Sequence, residues 1–311
     1  MAQAKARYLI LARRLPSPFA SRSSGRMGAL RRQCALLAIA VAGVDSIRVS
    51  GHRDDAARHR HMIVMASEKL AFCYVQKVAS EHFGPMFNAV NNITDGGYDP
   101  GFSTTQSLNI DPSQVTRENG WRFAMFVRSP LERYLSAFLS KCVPTGTNKE
   151  PSQGGKWCFG KTRSAPVTME EKVELFEERV RNDSVAGLAN NDHWLSQYTV
   201  MKQNCGVENF APEKLDYLGH MSSDADAVNS QVKEMLTKFT TLSNAAFVAT
   251  EHFPTATKKL GLLQCPTAHC TQARNQLKHF YRKPETVDLV KTLFADDFEN
   301  FKFGLPEELT Q

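Results

Sequence analysis

Lys77, Arg128 and Ser136 are the side chains on which chemistry can be built. An apolar run, Trp121-Arg-Phe-Ala-Met-Phe-Val127, leads into Arg128-Ser-Pro-Leu-Glu-Arg133-Tyr-Leu-Ser136-Ala-Phe138. Arginine offers a planar fork of donors and serine adds a hydroxyl, a pairing suited to a dianionic phosphate. Lys77 follows a second apolar run, Lys69-Leu-Ala-Phe-Cys-Tyr-Val75, in the turn Gln76-Lys-Val-Ala-Ser80. A strand-to-helix turn aims backbone N–H groups and a helix N-terminus at an anion. A lysine there adds a point charge to such a turn. Lys77, Val78, Ala79, Ser80 and Glu81 thus form one side of a candidate anion site, and Arg128 and Ser136 the other.

Two strand-then-helix units must hold these residues in place. The runs at 69–75 and 121–127 have the length and composition of buried strands. Pro130 suits the first turn of a helix, with Ser129 as its N-cap. On that helix Leu131, Leu135 and Phe138 share an apolar face, and Ser136 lies two turns beyond Ser129. A helix is expected over 81–90, and Pro85 requires its first turn to be tight or shifted. Further helices are expected at 168–189, 224–241 and 284–300, and short strands at 215–219 and 245–249. Residues 92–119 and 143–166 read as loops. Strands alternating with helices predict an α/β fold in which helices flank a parallel sheet.

The chain has 311 residues and 42% hydrophobic composition, enough to bury a core as one large or two small domains. Its formal charge of +6 belongs to the N-terminal part, where the only acids before residue 60 are Asp45, Asp54 and Asp55. The rest carries no basic excess, which argues against a nucleic-acid partner. The apolar run 34–44 is shorter than a comfortable membrane span and has the length of a signal-peptide core or a short anchor. A start at Met27 would give the more usual signal. We therefore expect a basic leader and polar stem over 1–66 and the domain over 67–311. Seven cysteines leave at least one unpaired in a monomer without intermolecular bridges, with Cys34 the odd one out. Cys142–Cys158 and Cys265–Cys270 are bridge candidates. The latter pair has no second half to complete a zinc site, and His52, His59 and His61 sit in the polar stem, so no metal is expected.

The pattern Arg-x-Pro-x-x-Arg-x-x-Ser-x-Phe after an apolar strand resembles the 3′-phosphate-binding motif of sulfotransferases. The nearest likeness is to the Golgi carbohydrate group that includes the chondroitin and dermatan 4-O-sulfotransferases. The resemblance implies a P-loop-like parallel sheet, 3′-phosphoadenosine 5′-phosphosulfate (PAPS) as donor, and a glycan acceptor. Arg128 and Ser136 would hold the 3′-phosphate. Residues 72–83 resemble the family's phosphosulfate loop, with Lys77 at its lysine. Gln76, Glu81 and Phe83 stand where that loop usually has Pro, Thr and Trp, and a carboxylate at 81 repels a phosphosulfate unless Ser80 donates instead. Asp192-His-Trp-Leu-Ser-Gln197 with Cys205, the segment Leu215 to His220, Tyr281, and Asp296-Asp-Phe-Glu-Asn-Phe301 follow in the family's order. The resemblance also implies a Golgi membrane or secretory-lumen location, which the sequons Asn92-Ile-Thr94 and Asn182-Asp-Ser184 fit.

Sulfuryl transfer needs a base for the acceptor hydroxyl, with a pKa near the working pH. His193 is the first candidate, and His82 and Glu81 are the alternatives. Two rival readings stand beside transfer. Phosphoryl transfer would want a Gly-rich loop with Gly-Lys-Ser/Thr and a Mg²⁺-holding carboxylate, and residues 76–83 contain no glycine. A degenerate domain that binds an anionic glycan or nucleotide without turnover takes Glu81 and Gln76 as its support.

Overall fold

The computed structural model describes residues 59–97, 99–143, 158, 168–256 and 271–310. A four-stranded sheet in the order β1-β2-β3-β4 organises them. Its strands are β1 (Met62–Met65), β2 (Leu70–Cys73), β3 (Arg122–Arg128) and β4 (Tyr217–Met221). β2, β3 and β4 are parallel, with Cys73 opposite Met125 and Arg128 opposite Met221. Both central strands are buried almost throughout, as near-continuous apolar runs in a parallel sheet must be. Gly219 faces Phe126 across β3 and β4, and a Cβ there would lie 2.4 Å from the ring, so only glycine fits.

β1 is an addition that the sequence did not announce. It pairs antiparallel with β2 and is fully buried, so the stretch expected to be stem ends inside the sheet. Its run of four apolar residues is short enough to be hidden beside the histidines and arginines before it.

β2 feeds α1 (Ser80–Val90) and β3 feeds α2 (Pro130–Lys141). Phe83 and Phe87 of α1 pack on the sheet, with Phe83 4.4 Å from Phe72 and 5.0 Å from Phe126 between ring centroids. Pro85 sits well inside α1 rather than in a tightened first turn, so it offers no N–H to the carbonyl of Glu81. α2 has only one apolar face, yet all of its residues from Pro130 to Lys141 are buried. Leu131, Leu135 and Phe138 enter a second core with Phe176 of α3 (Met169–Ala186). Its polar side, Glu132, Arg133, Ser136, Ser140 and Lys141, is enclosed as well. A buried polar helix face marks a site rather than a solvated surface.

The chain continues through α4 (Gln197–Met201), a π-helical turn over Lys202–Gly206, and α5 (Val207–Phe210) to β4. After β4 come α6 (Ala225–Phe239) and α7 (Ala245–His252). The 245–249 segment is therefore helical, not a strand. A five-residue apolar run cannot reveal its period, and alanine favours the helix. The expected 284–300 helix is broken at Phe294 into α9 (Pro284–Leu293) and α10 (Ala295–Phe301), after α8 (Ala273–Phe280). The strand expected at 215–219 begins two residues later, because Asp216 instead accepts the Phe123 N–H through its side chain at 2.8 Å. Disulfides join Cys73 to Cys205 and Cys142 to Cys158. The second was expected; Cys265–Cys270 lies outside the described residues.

Candidate active site

The loop between β2 and α1 is built to present N–H groups. Lys77 (φ 68°) and Ala79 (φ 53°) both adopt the left-handed conformation, a costly choice for residues with a Cβ. Residues alternating into this region turn successive N–H groups toward one concavity, an anion-binding nest. Two arginines hold the loop from behind. Arg133 Nε donates to the Gln76 carbonyl at 2.9 Å, and Arg128 Nη1 to the Lys77 carbonyl at 3.2 Å. In a trans peptide the N–H points opposite its carbonyl, so the Lys77 N–H faces away from the arginines. Ala79, the N-cap of α1, supplies no side-chain cap. The N–H groups of Lys77, Ala79 and Ser80 have no acceptor among the described residues. The Ser80 hydroxyl donates to Gln76 Oε1 at 3.4 Å and so closes the loop on itself.

Arg133 has no exposed surface and ties three segments together. Besides Gln76 it reaches the carbonyls of Leu195 at 2.7 Å and Asp192 at 2.8 Å. It thereby sets the His193 segment against the Lys77 loop. Arg128 also pairs with Glu132 at 3.2 Å, one helical turn on. The Ser129 hydroxyl makes no N-cap bond and is buried without a partner beside Arg128. Ser136, 3% exposed, bonds Thr271 at 3.0 Å. Arg128, Ser129 and Ser136 thus give this end of α2 a charge and hydroxyls that a phosphate can take up. These features and the nest fit a donor with phosphates at two ends.

His193 feels the charge of Lys77. Asn191 Oδ1 accepts the His193 backbone N–H at 3.0 Å, which fixes the amide's orientation. The same oxygen lies 2.9 Å from Nδ1, so Nδ1 carries the proton and Nε2 keeps the lone pair. Burial first, then the charges of Lys141, Lys77 and Arg133, push His193 down to about 3. Burial and Lys141 likewise lower Lys77 to about 7, with Arg128 and Arg133 adding to the effect and Glu81 opposing it. Glu81 also supports the charged form of Lys141. Lys77, Lys141, His193 and Glu81 therefore share one field.

His82 is elsewhere: its Nδ1 bonds the His252 carbonyl at 2.8 Å and its ring lies against Phe253. Trp194 is wholly buried under the Arg179 guanidinium, 4.2 Å from its ring. His59 pairs with Glu208 and His61 with Asp192, and no metal-binding cluster occurs among the described residues. No helix among them is long and apolar enough to cross a membrane, and residues 34–44 lie outside them.

Sequence reasoning missed Lys141, the looping role of Arg133 and the Asn191 partner. Lys141 carried a signal, because it falls two turns after Arg133 on the same helix stripe. Asn191 carried none.

The loop, the arginines of α2 and the downstream segments stand in one order along the chain, and comparison with known proteins covers that same stretch. No curated protein and no solved structure matches. The model described as "Sulfotransferase family" matches residues 60–304, from the edge strand to the end of the last α-helix. With more than half its length matched, and a sheet whose strands β2, β3 and β4 run parallel with helices between them, the chain belongs to the sulfotransferase family.

Proposed function

We propose that the protein transfers the sulfuryl group of PAPS to a hydroxyl of a carbohydrate. The observation that carries this is the bond from Arg128 Nη1 to the Lys77 carbonyl, 3.2 Å long. It joins a phosphate-binding arginine to a phosphosulfate-binding loop, so one molecule with phosphates at both ends can bridge them. Arg128 and Ser136 take the 3′-phosphate, and the loop from Lys77 to Ser80 takes the 5′ end. No metal is called for, since Lys77 and the loop N–H groups supply the positive charge.

PAPS brings an activated sulfuryl group. The chain's part begins at His193 Nε2, which receives the acceptor hydroxyl proton as the acceptor oxygen bonds to sulfur. The bond from sulfur to the 5′-phosphate oxygen breaks, and Lys77 stabilises the charge left on that oxygen. In the free protein His193 is too weakly basic for this task, because burial first and then the surrounding cations hold its pKa down. The donor's phosphates offset the cationic part of that depression and raise the histidine, so its base strength is greater with the donor bound.

The carbohydrate acceptor rests on the likeness of the His193, Gln197 and Asp297 segments to the Golgi group. A secretory location is supported by two disulfides, which persist in oxidising compartments, and by exposed Asn92 and Asn182 in the two sequons. The chain's N-terminal run at 34–44 would be the signal or anchor. The rival reading, binding without turnover, is favoured by Glu81 lying in the field of Lys77 and Lys141.

Turnover of radiolabelled PAPS against a panel of glycans tests the proposal. Label transferred to one glycan class supports it. Tight binding of 3′-phosphoadenosine 5′-phosphate (PAP) with no transfer to any member would leave the binding-only reading standing.

A further inference from the structure

We propose that Lys141 is a second cation of the reacting centre, holding the sulfuryl oxygens of the donor opposite Lys77. The inference rests on the sulfuryl-transfer reading and adds a residue to it.

A lysine at the last position of a helix ordinarily serves the dipole and extends into water. Lys141 ends α2, yet it is only 7% exposed. Among the described residues it forms no close ion pair, and Glu81 is the carboxylate whose charge acts on its ammonium. Burial holds the ammonium's pKa down and the carboxylate of Glu81 acts against that, so a cation kept this far inside has room for a further anion. The geometry says where that anion belongs. Arg133, Ala137 and Lys141 fall on one stripe of α2, four residues apart. Arg133 on that stripe touches the carbonyls of Gln76, Asp192 and Leu195, so the stripe faces both the Lys77 loop and the His193 segment. Ala137 between the two cations is small and buried. Lys141 is the largest charge acting on both Lys77 and His193, which agrees with this placement. The disulfide at Cys142 fixes the helix end directly after it.

The lysine takes no proton in the step. Its N–H groups donate to non-bridging sulfuryl oxygens while the acceptor oxygen bonds to sulfur, the sulfur–phosphate oxygen bond breaks, and His193 Nε2 receives the proton. Because PAP lacks the sulfuryl group, Lys141 contributes to turnover far more than to PAP affinity.

The test uses Lys141→Met, which keeps the apolar stem, and Lys141→Arg, which keeps the charge. Thermal melting and a non-reducing gel confirm the fold and the Cys142–Cys158 bridge. We expect Lys141→Met to lower kcat about 100-fold, the scale for one transition-state donor, with PAP affinity within about threefold. Lys141→Arg should recover part of the loss. Losing this charge also relieves His193, so the acid limb of kcat/KM should move to higher pH in Lys141→Met. Unchanged kcat, PAP affinity lost in step with kcat, or a rise in acceptor KM alone would overturn the inference. Wild-type protein that neither binds PAP nor turns over PAPS would instead sink the transfer reading itself, before any variant is made.

Discussion

Arg128 and Gln197 exchange two hydrogen bonds. The Arg128 N–H donates to Gln197 Oε1 at 2.9 Å, and the Arg128 carbonyl accepts from Gln197 Nε2 at 2.8 Å. The Asp297 carboxylate holds the glutamine in turn, accepting from the Gln197 N–H at 3.0 Å, from Nε2 at 3.2 Å and from the Tyr198 N–H at 2.8 Å. Gln197 and Asp297 have no exposed surface. The end of β3, from which Arg128 departs, is thus aimed by a helix from the far end of the chain.

Replacing Gln197 by Leu strands the Arg128 backbone groups and part of Asp297 in a dry interior. Unfolding free energy should fall by about 2–4 kcal/mol, the cost of a few buried polar groups left unpaired. PAP affinity should fall about tenfold as Arg128 loses its aim. Denaturant titration and calorimetry read the two effects, and wild-type values for both would show that the relay is idle.

Lys77 and Arg128 should separate kinetically. Lys77→Ala removes charge stabilisation that grows as the bond breaks, so kcat should fall more than PAP affinity. Arg128→Ala removes a contact present before and during reaction, so PAP binding itself should weaken. Identical patterns in the two variants would refute the division of roles.

PAP binding should be proton-linked through Lys77. Its pKa is about 7 in the free protein, held down by burial and neighbouring cations. A bound phosphate favours the charged form and raises that pKa. Affinity should therefore be greatest below pH 7 and fall as pH rises through 7, by at most about tenfold per unit. At pH 8 binding should take up a proton, seen as a dependence of the calorimetric heat on buffer ionisation enthalpy. In Lys77→Met the linkage above pH 7 should vanish, leaving only the ligand's own phosphate ionisation.

Glu81→Gln should tighten PAP binding at pH 6. One carboxylate fewer in the field of Lys77 and Lys141 leaves more of it for the ligand, a gain of about 1–2 kcal/mol on the scale of N-terminal charge effects. Because Glu81 supports the protonated form of Lys77, its removal should also move the alkaline fall in affinity to lower pH. Turnover lost while binding improves would instead make Glu81 the base.

His193→Ala should lower kcat about 100- to 10,000-fold while sparing PAP affinity, as loss of a general base does. A fully active variant would remove the histidine from the reaction.

The local features needed no tertiary information. Apolar runs before Lys77 and Arg128, a proline at the start of α2 and hydroxyl and guanidinium groups spaced along it are properties of short segments, and they already imply strand, turn, helix and anion. Such runs fail where two states share a pattern, as at 245–249, or where a strand is only four residues long, as at Met62–Met65. The disulfide from Cys73 to Cys205 spans 132 residues, and nothing in the spacing of seven cysteines selects it.

What only the folded chain decided is which polar groups meet. Arg133 enters the sequence pattern as its second arginine with no contact assigned to it, but enclosure of α2 turns it inward, where carbonyls from 57 to 62 residues away satisfy it. The same enclosure brings Lys141 to Lys77 and His193, and packing at the far end of the chain carries Asp297 to Gln197. Charge–charge and hydrogen-bond energies depend on distance through space, and burial sets their strength. The sequence determined the kinds of groups and the turns that display them; the packing of α2 against both cores determined their field.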